Sequence, residues 1–171
     1  MSYWSDAVQQ TGQWYAQNVN EYGQSKFVDC PLDNAGRVRC DCSGFVSACM
    51  RVAGLARQNE CFRSGDFASE NGPLGQRLKK AGFKPIKFDT ELLRPFDIIA
   101  KEGHVEIFDS FNENGKPLVW AWGRNHNIEN GGLPTAMSKQ AYTLMWRLEE
   151  YASECPLIHV GDLEDSTFET V

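Results

Sequence analysis

The sequence predicts an α+β fold, with helices first and an antiparallel sheet after them. Three observations carry this expectation. Apolar residues early in the chain recur at helical spacing, and from residue 84 onward short strand-like segments follow one another. Between two of those segments lies Asn112-Glu113-Asn114-Gly115, a hairpin turn, since Asn-Gly tolerates positive φ. Helices followed by consecutive strands give an α+β layer arrangement.

The elements follow in order. Trp4, Val8, Trp14, Tyr15 and Val19 form a rough stripe, predicting a first helix over 3–19 whose aromatics belong to the core. Residues 23–39 are polar and broken by Pro31 and Gly36, and read as a loop. Asp41 is the N-cap of a second helix, on which Phe45, Val46, Cys49, Met50 and Ala53 share one face and which Gly54 ends. A further helix is expected over 67–80, interrupted by Gly72-Pro73 and stopped by Gly82. Strands are expected at 84–88, 97–100, 104–110, 117–122 and 142–148, arranged as a meander. Residues 1–160 make one domain, without repeats or a linker. Residues 161–171, with four acids and no base, read as a solvated, flexible end.

Composition limits the function classes. With 171 residues, 42% hydrophobic and 23% charged, the chain has the make-up of an ordinary globular domain. A net charge of -6 argues against nucleic acid, which calls for a basic face. No apolar run approaches the ~20 residues of a membrane span. The start, Met1-Ser2-Tyr3-Trp4-Ser5-Asp6, lacks the basic and apolar parts of a signal peptide. The expectation is therefore synthesis in the cytoplasm, with any export left to a machine that needs no such signal. Six cysteines stand at 30, 40, 42, 49, 61 and 155. With Cys42 in a functional role and Cys49 in the helix core, Cys30, Cys40, Cys61 and Cys155 remain for disulfides in an oxidising compartment, or stay reduced and buried.

Asp41-Cys42-Ser43-Gly44-Phe45-Val46 holds the first chemical signal. Cys42 falls in the first turn of a helix, beside unpaired N–H groups and the positive dipole end, which favour a thiolate. The alternative is a small buried hydrophobe. The second signal is Gly103-His104-Val105-Glu106-Ile107-Phe108, a strand whose Val105 and Ile107 face inward. His104 on its other face can serve as general base toward a thiol brought alongside. Glu106 shares that face and reads as a solvent-side charge. Gly44 implies either a substrate backbone passing the helix start or tight packing on a strand. His126 and His159 lie in no motif and read as ordinary histidines.

Asp41-Cys42-Ser43-Gly44-Phe45-Val46, then Arg94-Pro95-Phe96-Asp97-Ile98-Ile99, then Gly103 to Phe108 resemble the NlpC-type cell-wall peptidases, a compact branch of the papain-like superfamily. That pattern runs Asp-Cys-Ser-Gly-Phe, Pro-Gly-Asp-Leu, Gly-His-Val; here Phe96 stands where the family has Gly. The resemblance covers about residues 20–125. It implies a papain-like fold, with N-terminal helices packed on an antiparallel sheet, that hydrolyses an amide in the peptidoglycan stem, often next to D-glutamate. It further implies Cys42 as nucleophile, His104 as base, Asp41 and Ser43 beside the substrate, and Tyr22 as the family's upstream Tyr. The Cys42 N–H is a natural oxyanion donor. No cofactor is implied.

The resemblance also implies a third polar group that orients His104 from the strand that follows it. The Trp indoles there only donate, so a backbone carbonyl near Trp120, Ala121 or Trp122 is expected, with Asn125 as the alternative. The short domain, the cysteines and Val119-Trp120-Ala121-Trp122-Gly123 look like amidase toxins delivered by type VI secretion. Such a toxin would act in the periplasm of target bacteria, leave by a secretion apparatus, and meet a small periplasmic immunity protein. Alternatives are a housekeeping or phage wall hydrolase or an acyltransferase of the same fold, and, in a different class, a zinc-binding module built on Cys30, Cys40, Cys42 and Cys61. The spacing lacks the close cysteine pairs of zinc knuckles.

Overall fold

The computed structural model describes residues 2–123, 134–149 and 168–170. Helix α1 (Tyr3–Asn18) opens with a capping box in which Ser2 and Ser5 satisfy each other's backbone N–H groups. It packs against α2 (Cys42–Val52), and Tyr15 stacks edge-on against Phe45 with ring centroids 5.0 Å apart. The two helices bury Trp4, Val8, Tyr15, Phe45, Val46 and Met50. Between them runs a hairpin the sequence did not announce: β1 (Gly23–Val28) pairs antiparallel with β2 (Val38–Cys40) where a loop was expected. Its polar residues hid the strands, because β1 is largely exposed and carries no apolar alternation.

After α2, Gly54 adopts φ +80 and stops the helix. A short strand β3 (Glu60–Cys61) and a single turn α3 (Ser64–Phe67) follow, then α4 (Pro73–Lys80). Gly72 and Pro73 do not interrupt one long helix. Gly72 is the N-cap and Pro73 the first residue of α4, where proline loses no hydrogen bond. Glu60 and Arg77 form a buried two-point ion pair at 2.8 and 3.0 Å that ties α4 to β3. Arg51 and Asp33 make a second buried pair at 2.6 Å, anchoring the long loop to α2.

The main sheet joins β4 (Phe83–Lys87), β5 (Ile98–Lys101), β6 (His104–Phe111), β7 (Pro117–Trp120), β8 (Thr135–Ala136) and β9 (Leu144–Leu148). The order is β4-β9-β5-β6-β7-β8, antiparallel throughout. The α+β class is therefore borne out. The simple meander is not, since β9 returns to lie between β4 and β5. The Asn112 turn joins β6 to β7 as expected, with Gly115 at φ +74 and the Asn112 side chain accepting from two backbone N–H groups.

Both faces of this sheet are covered. Ile98, Val105, Ile107, Trp120 and Trp146 join the helices in the larger core. On the other face Ile99, Phe108, Val119 and Met145 form a second cluster with Leu93 and Tyr142. Residues 168–170 also depart from the expected solvated end. Glu169 and Thr170 form β10, which pairs with β3, and the Phe168 ring meets Phe62 edge-on at 4.6 Å.

Phe96 sits at φ 70, the single non-glycine residue with positive φ among those described. It occupies the position where the Pro-Gly-Asp pattern carries glycine, a residue for which this conformation is free of strain. The turn is held by Phe96 N–H donating to the Phe108 carbonyl at 2.7 Å and by the Trp4 indole donating to the Phe96 carbonyl at 3.0 Å. Beside it the buried Asp97 receives a two-point contact from Arg147 at 3.0 and 2.7 Å. Burial raises the Asp97 carboxyl above its ordinary value, with Arg147 opposing that rise.

Candidate active site

Cys42 is the first residue of α2 and Asp41 its N-cap. The Asp41 carboxylate accepts from Gly44 N–H at 2.6 Å, and the Asp41 carbonyl accepts from Phe45 N–H at 2.9 Å. The Phe45 bond is the first of the helix itself, and the Gly44 bond satisfies one of the N–H groups that have no partner within the helix. The second Asp41 oxygen pairs with Arg39 at 3.3 Å, and both side chains are buried. The Asp41 carboxylate is thus engaged from within the chain, by Gly44 N–H and by Arg39.

Gly44 owes its identity to packing rather than to substrate. A Cβ there would lie 2.5 Å from Asp41 Oδ1 and 2.6 Å from Arg39 Cβ. Helix start and strand β2 approach too closely for any side chain.

His104 heads β6, next to a tight turn in which Gly103 takes φ +98 and donates its N–H to Ser64 Oγ at 3.0 Å. The Cys42 thiol lies close enough to the imidazole to bear on its charge, so the two sequence-predicted residues come together. Cys42 is 7% exposed and the His104 side chain 13%, leaving a narrow approach to the pair.

The imidazole Nε2 lies 2.7 Å from Glu106 Oε1. Glu106 therefore stands at Nε2, where a carbonyl near Trp120, Ala121 or Trp122 was expected. The reason is local. His104 and Glu106 are two residues apart on one strand and share a face. Trp120 turns to the helix side, where the bare Gly12 admits its ring, and its indole donates to Asp109 at 3.1 Å. Asn125 lies outside the described residues, as do His126, His159 and Cys155.

Glu106 is also not the solvent-side charge expected of it: it is completely buried. In register it stands beside Ile99, which itself neighbours Met145, inside the second apolar cluster. Ser138 donates to the same Oε1 at 2.7 Å, and the Tyr142 hydroxyl is buried against the carboxylate. Burial pulls the His104 imidazole toward its neutral form. Its interactions with Cys42 and Glu106 and the negative charge of those partners outweigh that pull and hold it at about 9.

Tyr22 precedes β1, whose first residue Gly23 pairs with Cys40, two residues before the thiol. The register brings Tyr22 toward the Cys42 end of the fold, with the residue 38% exposed. Cys30, Cys40, Cys42, Cys49 and Cys61 are all unbridged and buried. Among the described residues no three His, Cys, Asp or Glu side chains gather as a metal site, as the zinc alternative would require. No helix of the described residues is long and apolar enough to cross a membrane.

A thiol, an imidazole and a carboxylate in series can carry out nucleophilic acyl transfer. In such a series the imidazole can take the thiol proton, the sulfur can attack a carbonyl, and the imidazolium can return the proton to the leaving group. Comparison of the chain with family models, curated proteins and solved structures found no match to any of them.

Proposed function

We propose that this protein is a cysteine amidase of the NlpC type, acting on the peptide stem of bacterial peptidoglycan. The observation that carries the reading is the Cys42–His104–Glu106 series at a helix start. Cys42 attacks the stem-peptide carbonyl, and the N–H groups of Cys42 and Ser43 hold the oxyanion. His104 protonates the departing amine, leaving a thioester that water then hydrolyses with His104 as base. Glu106 keeps the imidazole in the tautomer and orientation this needs. The substrate class comes from the resemblance of the motifs around residues 41–46, 94–99 and 103–108.

The short domain and the likeness of Val119-Trp120-Ala121-Trp122-Gly123 to type VI amidase toxins support a toxin injected into the periplasm of a competitor. A secretion apparatus and a periplasmic immunity protein would be its partners. Digestion of purified peptidoglycan, with mass spectrometric identification of the new amine and carboxyl ends, tests the reaction and names the bond. Intact muropeptides after prolonged incubation would refute it.

A further inference from the structure

Glu106 poses a physical problem that its own strand does not solve. A carboxylate removed from water is costly unless hydrogen bonds hold its charged form. The described groups facing it are the His104 imidazole from β6, the Ser138 and Tyr142 hydroxyls from the stretch between β8 and β9, and, beyond the imidazole, Cys42 from α2. Its cross-strand neighbour Ile99 offers only hydrocarbon. Ser138 is thus a hydroxyl brought from 32 residues away to the oxygen that His104 uses.

The stretch that carries it is pinned at both ends. Met137 N–H donates to the Pro117 carbonyl at 3.0 Å and Thr143 N–H to the Ala100 carbonyl at 2.9 Å, with Met137 and Tyr142 packed in the second cluster.

We propose that Ser138 is a positioning residue of the site: its hydroxyl, donated to Glu106 Oε1, keeps that carboxylate ionised and aimed at His104. It thereby sets the charge of the imidazole that serves Cys42. The inference rests on the Cys42–His104–Glu106 reading and adds to it a residue that touches neither thiol nor imidazole. A hydrogen bond to the charged form of a carboxyl favours that form, and an ionised Glu106 favours the imidazolium. Burial and the Glu106 charge push the Tyr142 hydroxyl well up, so it remains a protonated neighbour and does not compete as an anion.

The test is an NMR titration of the full chain, whose three histidines make His104 straightforward to assign. In Ser138→Ala the His104 pKa should fall by about half a unit or more. Ser138→Thr, which keeps the hydroxyl, should restore it. On peptidoglycan fragments the Ala variant should lose kcat several-fold with KM unchanged, and the alkaline limb of its pH profile should move down. An unchanged His104 titration in a folded Ser138→Ala protein overturns the proposal. Should the Ala variant not fold, Ser138→Cys supplies the same test with a weaker donor of similar shape, and an unshifted pKa there also overturns it. The titration needs no substrate. The shift in a protein inactive on peptidoglycan would sink the amidase reading and support Ser138; activity without the shift would do the reverse.

Discussion

His104 Nε2 and Glu106 Oε1 lie 2.7 Å apart on one strand, and the carboxylate is wholly buried. Side chains at i and i+2 share a face of a strand, so this contact follows from a spacing visible in the sequence. What makes it consequential is the cover above it. Water would screen an exposed pair into insignificance, whereas a buried carboxylate beside an imidazole controls that ring's charge.

Glu106→Gln keeps the shape of the side chain and removes its charge. The His104 imidazolium then loses its partner, and kcat/KM should drop by about a hundredfold or more, with the fold intact by circular dichroism. Asn125→Ala should retain most activity, because Glu106 already occupies Nε2. A large loss in Asn125→Ala beside an active Glu106→Gln would reverse the two assignments.

The pH profile should fall on its alkaline side near the His104 value of about 9. The sign follows from the direction of the shift. The folded pKa lies above the ordinary 6.5, so the pairing stabilises the fold fully below about 6.5 and is lost as pH rises through about 9. Rates measured on soluble muropeptides across this range check the limb. An alkaline limb near 6.5 would show that the imidazole is unpaired in the working enzyme.

Gly44→Ala should destabilise the protein by about 2 kcal/mol, since the added Cβ collides with Asp41 and Arg39. For a chain of this length that is a fall in Tm of about 5 °C. A variant as stable as the parent would mean that the helix start and β2 stand farther apart.

Location provides a functional check. Expression in the cytoplasm of a Gram-negative host should be tolerated, and forced export to the periplasm should lyse it, because the wall lies on that side. Equal toxicity in both compartments would point to a cytosolic substrate.

The parts of the fold legible in the sequence are those with strong periodicity or punctuation. The Cys42 helix carried its N-cap and glycine stop in plain sight, and the Asn112 turn its Asn-Gly pair. Strand β1 was illegible because an exposed strand has no apolar face to betray it, and β2, though buried, is only three residues long. Cys42 and His104 were readable because each sat in a motif with a mechanism. The burial of Glu106 beside His104 was not, because alternation shows which residues share a face but not whether that face is wet. A stretch 32 residues onward, bearing Ser138 and Tyr142, decides that. Strand β9 entered the sheet beside β5 for a similarly non-local reason, its pairing partner lying some 45 residues earlier in the chain.

The most direct measurement sets wild type and Cys42→Ala side by side on purified peptidoglycan, with muropeptide release followed by mass spectrometry. The wild type should release stem fragments ending at a single new amide cleavage. The variant should be folded and slower by on the order of a millionfold, which is indistinguishable from no enzyme. Near-normal digestion by Cys42→Ala would contradict the account, whatever the products.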